Sequence, residues 1–331
     1  MMEEPANPTV PFEWIEKTYP VAFRLGRFRL GRIPLRTKHL WTAFPVCRNT
    51  PDLPPVAPGD LEGVDAVYIP GFPVSRNFPI VQFLPGLIRY MSWRDTRFLV
   101  AISGTFDSYL QSRSSGMRRQ LSKQIRRWRD LAGQEPTLRE FRGLIQLREF
   151  YSIAGPLSRM TWQGKAGAGL EEFESSADIL RIAETDQARG YILFSANQPA
   201  AFQLSYVQGT TLAFSQIGYD PAYAQFSPGT TLLYLLLEKQ FAEGQMEFCD
   251  LMEGSAWAYK ARLATLQVPS MRFLFFRRSI GALLLVLTLC SLRKLEQCAA
   301  ATKKFVSSLL ARFKKPLPGN SGLGNRNTQK T

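Results

Sequence analysis

Histidine is almost missing from this 331-residue chain, with one residue, and cysteine is sparse, with four. The single His39 stands in an Arg- and Pro-rich context far upstream of any candidate nucleophile, so neither a Ser/His/Asp nor a Cys/His mechanism has the parts it needs. Cys47, Cys249, Cys290 and Cys298 form no CxxC pair and have no histidine nearby, which argues against a zinc site and a disulfide framework and leaves them as core or surface thiols. No Walker loop, no GxGxxG after a strand and no HExxH is present, so the commoner kinase, dehydrogenase and metallohydrolase classes drop out and no metal is expected. The opening MMEEPANPTV is acidic and Pro-broken, unlike a secretory leader with its basic start and apolar run, and the expected location is the cytoplasm. No repeat of solenoid period occurs.

Acids are the minority charge: 27 Asp and Glu against 41 Lys and Arg, a formal net charge of +14. The excess is local. Residues 113–129 hold seven Lys or Arg and no acid, and residues 271–315 hold ten with Glu296 as the single acid. Two such patches draw phosphate-bearing partners, whether a nucleotide cofactor, anionic lipid or RNA. With 45% hydrophobic residues the chain is long enough for one large domain or two modest ones.

In the first hundred residues a Pro-dense loop or linker spans 50–59, and the apolar β-type runs 66–69 and 98–102 suggest strands with crossing helices between them. From Phe106 the period changes. Leu110, Met117, Leu121, Ile125 and Trp128 recur at helical spacing, with Arg118, Arg119, Lys123, Arg126 and Arg129 on the other side. That basic side is either a solvated surface or a seat for an anionic substrate, for which Arg118 and Lys123 are the candidates. Helices are expected over 138–153 and 170–181, separated by the loop 158–169, whose Arg159, Trp162 and Lys165 form either an acceptor-side wall or an ordinary packed loop.

The clearest pattern follows. A hairpin is expected over 190–207 with its turn at Asn197, Gln198 and Pro199, a third antiparallel strand over 211–218, and an apolar helix over 230–243 ending at Gly244. A short strand at 246–251, a helix at 255–264 and a strand at 267–276 complete a mixed α/β sheet with helices on its faces. The stretch 280–292 is thirteen residues without a charge, short of the roughly 20 that a spanning helix needs. It reads as a helix packed on the core, lying in an anionic membrane interface or, less readily, spanning. The tail from residue 316 is polar and Gly/Asn-rich and is expected to be disordered.

Chemistry is concentrated around one helix start. At Ser227, Pro228, Gly229 and Thr230 a strand runs into a helix through Gly and hydroxyl residues, which leaves backbone N–H groups free and aims the positive end of the dipole outward, as a diphosphate requires. The same Ser-Pro is also an ordinary cap with Pro at the first helical position. Asp250 at the end of the next strand, Glu253 in the turn after it, and Tyr259 and Lys260 on the following helix open to the same sheet edge, so these groups can converge. Tyr259 and Lys260 are equally compatible with a plain amphipathic helix.

The order Tyr219, Asp220, Pro221, then Ser227, Pro228, Gly229 before an apolar helix, then Phe248, Cys249, Asp250 with Gly254, Tyr259 and Lys260, resembles the signature of CelD/BcsL acyltransferases, which group with GNAT and Fem-type proteins. The likeness covers roughly residues 63–264, taking in Phe106, Tyr109, Leu110 and the Arg-rich helix. The Gln/Arg-x-x-Gly-x-Gly/Ala loop of orthodox GNAT enzymes is absent, with only Gly229 in its place. The resemblance implies a GNAT-like fold, with a shortened GNAT-like half over 1–104, an acyltransferase domain over 105–277 and a basic, apolar helical tail over 278–315. It implies transfer of an acyl group, acetyl foremost, from acetyl-CoA or another acyl-CoA to an amine or hydroxyl of a small molecule, glycan or lipid-linked envelope precursor. Acyl transfer needs a base, a polarised carbonyl and a stabilised leaving thiolate. Asp250 or Glu253 is then the candidate base, Tyr259 the acid and Lys260 the oxyanion or phosphate contact. The alternatives are a Fem-type transferase using aminoacyl-tRNA, with the basic helix on RNA phosphates, and a catalytically silent partner at an anionic membrane in polysaccharide assembly.

Overall fold

The computed structural model describes residues 13–26, 28–40, 53–132, 136–167, 169–254 and 258–313. Cys47, part of the Pro-dense segment, residues 255–257 of the expected helix and the tail from residue 316 lie outside them. In chain order the elements are strands β1 (Trp14–Leu25), β2 (Phe28–Leu40), β3 (Ala66–Pro73), β4 (Val81–Leu84) and β5 (Leu87–Ala101), then helices α1 (Phe106–Gln111) and α2 (Ser115–Ala132). There follow β6 (Thr137–Arg142), α3 (Gly143–Met160), α4 (Trp162–Lys165), α5 (Ala177–Glu184), β7 (Ala188–Ser195), β8 (Gln198–Gln208), β9 (Thr211–Tyr219) and α6 (Pro228–Glu243). The last are β10 (Phe248–Glu253), α7 (Ala258–Leu263), β11 (Leu266–Arg277) and α8 (Ile280–Phe313).

Eleven strands make one mixed sheet in the order β1-β2-β3-β11-β5-β10-β9-β8-β7-β6, with β4 paired to β5. The expected mixed α/β architecture is therefore present. β2–β3 and β9–β10 are parallel and the remaining pairs antiparallel. The chain returns from β10 and β11 to pair with β5 and β3, so one sheet runs through the first hundred residues and the rest.

Three expectations are corrected. Among the described residues of the first hundred there are strands and one 3-10 turn (Pro58–Leu61) but no crossing helices. Residues 138–142 belong to strand β6, paired with β7, not to the start of a helix. Gly143 at φ 66° breaks the strand, and helical spacing begins only behind it. The helix expected from Phe106 is two helices, α1 capped by Thr105 and α2 beginning at Ser115. On α2 the predicted face holds: Met117, Leu121 and Trp128 are buried while Arg118, Arg119, Lys123 and Arg126 are exposed.

Side-chain alternation divides the sheet into two faces. On one, α1, α2 and α6 cover a core containing Tyr191, Leu193, Leu212, Phe214, Cys249 and Leu251. α6 forms as its sequence dictates, with Pro228 at the first position, four leucines (Leu232, Leu233, Leu236, Leu237) on its buried side, and Gly244 at φ 63° to end it. Each buried leucine contributes roughly 1.5–3 kcal/mol relative to exposure. On the other face α3 and α5 cover Ile192, Phe202 and Leu204, and α8 covers Val21, Leu35, Tyr68, Leu274 and Phe276. Lys17 pairs with Asp178, and Arg181 with Glu13, so edge strand β1 is tied to α5.

Candidate active site

The candidate site lies where two parallel strands part. β9 and β10 pair only over Thr211–Ala213 and Phe248–Asp250, yet β9 continues to Tyr219 and β10 to Glu253. On the far side β10 bulges against β5: Asp250 faces Leu99 and Glu253 faces Arg97, leaving two residues of β10 opposite Phe98. Met252 within the bulge takes φ 64° and Gly254 after it φ 140°, so the backbone turns sharply at the end of the strand.

α6 begins across this opening. Ser227, which precedes Pro228, sits in the left-handed region at φ 54°, ψ 54°, an unusual place for a residue with a side chain. The expectation of several free amides is corrected here. The N–H groups of Thr230 and Thr231 both bond the Ser227 carbonyl, at 3.0 and 3.1 Å, and Pro228 has none, leaving Gly229 as the open amide of the turn among the described residues. A Cβ added at Gly229 would lie 3.6 Å from Ile217 and 3.8 Å from Tyr219, which places this turn over the free end of β9.

Because Cys249 and Leu251 point into the α6-side core, Asp250 between them leaves the opposite face of the sheet. It is fully buried and not accessible as a base. Its Oδ2 accepts from Arg97 Nε at 2.6 Å and its Oδ1 from the Met252 N–H at 2.8 Å. Arg97 also donates from Nη1 to the Gly71 carbonyl at 2.6 Å. The carboxylate thereby holds the bulge in shape, a positioning task. Nothing near Asp250 in the sequence points to Arg97, 153 residues away.

Glu253 is held by β11. Ser270 Oγ donates to it at 2.7 Å and Arg272 Nε at 3.0 Å, with a second bond from Arg272 Nη2. Gly71, at φ 44°, lies directly behind: a Cβ there would meet Glu253 Oε1 at 3.0 Å. Lys260 Nζ donates to the Glu253 carbonyl at 2.6 Å. Burial holds the Lys260 ammonium below its ordinary pKa, opposed by the carboxylates of Asp250, Asp95 and Glu253. Tyr259, next to it, packs against the α6-side core, and burial raises its phenol so that it keeps its proton.

The remaining candidates fall in two places. α4 sits over the free end of β9: a Cβ at Gly218 would meet Thr161 Cγ2 at 2.8 Å. Arg159, Trp162 and Lys165, which flank Thr161, are exposed. Arg118 and Lys123 are not brought there. They line an open groove along the outer side of α2 with Arg119, Arg126, Arg127 and Asp130, on the opposite face of the sheet from Asp250. Arg262 of α7 bonds Gln120 Oε1 at 3.3 Å at the edge of that groove. Among the described residues there is no cluster of His, Cys, Asp and Glu fit for a metal, and no helix long and apolar enough to cross a membrane.

Residues 115–261 match the family model described as an acetyltransferase (GNAT) domain. No curated protein matches the chain. Among solved structures it is similar to FemX, at 11% identity and a TM-score of 0.47 over 77% of this chain and 88% of that one. It is also similar to L-PGS from Bacillus licheniformis (14%, TM-score 0.43, 69% and 73% covered) and to a GCN5-related N-acetyltransferase from Kribbella flavida (10%, TM-score 0.33, 58% and 61% covered).

Proposed function

Starting from a GNAT-type acyltransferase domain over residues 115–261, we propose that the protein transfers an acyl group, acetyl foremost, from acyl-CoA to an amine or hydroxyl. The acceptor class is a small molecule, a glycan or a lipid-linked envelope precursor. The observation that carries this reading is the parting of β9 and β10 beneath the start of α6. The edge of β9 beyond Ala213, where β10 no longer pairs with it, bonds an extended, amide-bearing arm as a further strand would, and the Gly229 amide at the helix start faces a diphosphate at its end.

In the transfer, the acceptor nitrogen or oxygen attacks the thioester carbonyl, the C–S bond breaks, and the acceptor proton leaves to a base. Glu253 serves as that base from its seat between Ser270 and Arg272. Asp250 acts through Arg97 and the bulge. Lys260 offers positive charge to the oxyanion, and Tyr259, with its proton retained, is the donor to the departing thiolate. Arg159, Trp162 and Lys165 border the acceptor's side.

Calorimetric titration with acetyl-CoA is the test. Gly229→Val adds a branched side chain toward Ile217 and Tyr219 without demanding a positive φ, so the fold survives while acetyl-CoA affinity drops at least tenfold. Unchanged affinity would move the diphosphate elsewhere. A second reading has its own observation: the five cations of α2 that line one groove suit an RNA backbone. Binding of aminoacyl-tRNA in place of acetyl-CoA would select a Fem-type transfer, and binding of neither would select a silent assembly partner.

A further inference from the structure

The face of α8 that looks away from the sheet is apolar where a solvent-facing helix is ordinarily polar. Its inward residues, among them Leu283, Val286, Leu289 and Cys290, pack on Val21, Tyr68, Ile88 and Phe276. Turned away from these, Ile280 is 80% exposed and Leu284 60%, and Leu287 and Leu295 are more than half exposed. The spacing of four, three and eight residues keeps all four on one stripe. The packing reading of residues 280–292 is thus met by one side of the helix and leaves the other side unexplained.

A second apolar feature joins it, one with no counterpart in the sequence reading. The β1–β2 hairpin extends past its last buried rung, and at its tip Phe28 is 61% and Leu30 60% exposed, beside Leu25. The tip is fastened to α8, since the Gly26 N–H donates to Glu296 Oε1 at 2.7 Å, one residue from Leu295. That bond also spends the only acid of residues 271–315. Beside the two features stand the exposed cations Arg24 and Arg32 on the hairpin and Arg277, Arg278 and Lys294 on or before α8. The exposed acids Glu16 and Asp65 lie toward the other end of the hairpin, Asp65 paired with Arg36.

We propose that the hairpin tip and the outer stripe of α8 together form an insertion surface for an anionic lipid bilayer. Apolar side chains at the tip and along the stripe enter the acyl boundary while the flanking cations meet headgroup phosphates. The charge decides the occupant. A second copy of the chain seated on the same surface would bring these cations against their own symmetry mates, whereas an anionic surface neutralises them. The inference is independent of the chemistry at β10.

The test is co-sedimentation of the full chain with phosphatidylcholine vesicles, with and without phosphatidylglycerol, at low and high salt. Leu284→Ser/Leu287→Ser and Phe28→Ser/Leu30→Ser remove only exposed side chains, so circular dichroism should match the wild type. The expected result is salt-sensitive binding to phosphatidylglycerol vesicles, weakened roughly tenfold or more by each pair, and weakened at low salt by Arg32→Gln/Lys294→Gln. Three results would overturn the proposal: no binding by the wild type, binding that neither apolar pair alters, or a dimer in sedimentation velocity that the apolar pairs dissolve.

Discussion

Asp250→Asn changes two atoms' chemistry and almost no volume, which makes it a sharp probe of the pair beneath the site. The wild-type carboxylate accepts on both oxygens, from Arg97 Nε and from the Met252 N–H. An asparagine has one carbonyl oxygen, so its amide must turn two N–H donors toward one of those partners and leave it unsatisfied. With both side chains almost wholly buried, the Arg97 guanidinium also loses its counter-charge in a place water does not reach. Breaking one side of a buried pair costs about 3–5 kcal/mol. Removing both sides costs less than the two single losses added: Arg97→Met/Asp250→Leu orphans the Met252 N–H and the Gly71 carbonyl, at about 1–3 kcal/mol each, and gives up the weak contact of Arg97 Nη2 with the Met252 sulfur. Urea unfolding of wild type, the two single variants and the double variant closes a cycle in which the double loss falls well short of the sum. A loss below about 1 kcal/mol in Asp250→Asn, or strict additivity, would refute a buried, mutually compensating pair and reopen Asp250 as an accessible base.

Three further outcomes are expected. Lys260→Met keeps the stem's packing but removes the ammonium, and turnover should fall on the order of 10²-fold with the fold intact; equal turnover would reduce Lys260 to a structural residue. Gly71→Ala forces a side chain into a positive φ against Glu253, so it should cost about 1–3 kcal/mol in thermal unfolding and lower turnover as well. His39, stacked edge-on to Tyr68 at 4.8 Å, has its pKa lowered from 6.5 to about 4, first by burial and then by the Lys17 charge. The unfolded chain therefore takes up the proton first as pH falls, and this contribution, present above pH 6.5, is lost between there and about 4. His39→Phe should flatten the stability profile across that window, and a profile of unchanged slope would show that other groups set it.

The elements that govern the site were legible because their signals are local. The apolar period and the Ser-Pro start define α6 and short apolar runs define β10 and β11, while the β7–β8 turn expected at Asn197, Gln198 and Pro199 falls at Ala196 and Asn197, with Gln198 and Pro199 already paired in β8. Residues 138–142 misled because five residues hold too few periods to separate strand from helix, and only the pairing with β7 decides. β1 and β2 passed unnoticed for a related reason. Their outer halves are solvent-exposed on both sides, so apolar and basic residues mix without alternation.

The sequence by itself determined which residues are available: a helix start with Gly229 at its opening, Asp250 and Glu253 at a strand end, Lys260 just beyond. It could not determine which of them stay free. Asp250 is spent on an arginine 153 residues away, Glu253 is held by two residues of β11, and Arg118 and Lys123 were carried to the opposite face by the direction of α2. Those outcomes depend on sheet order and on which side of a strand each side chain leaves. Both are fixed by long-range pairing, whereas composition and spacing report only on neighbours along the chain.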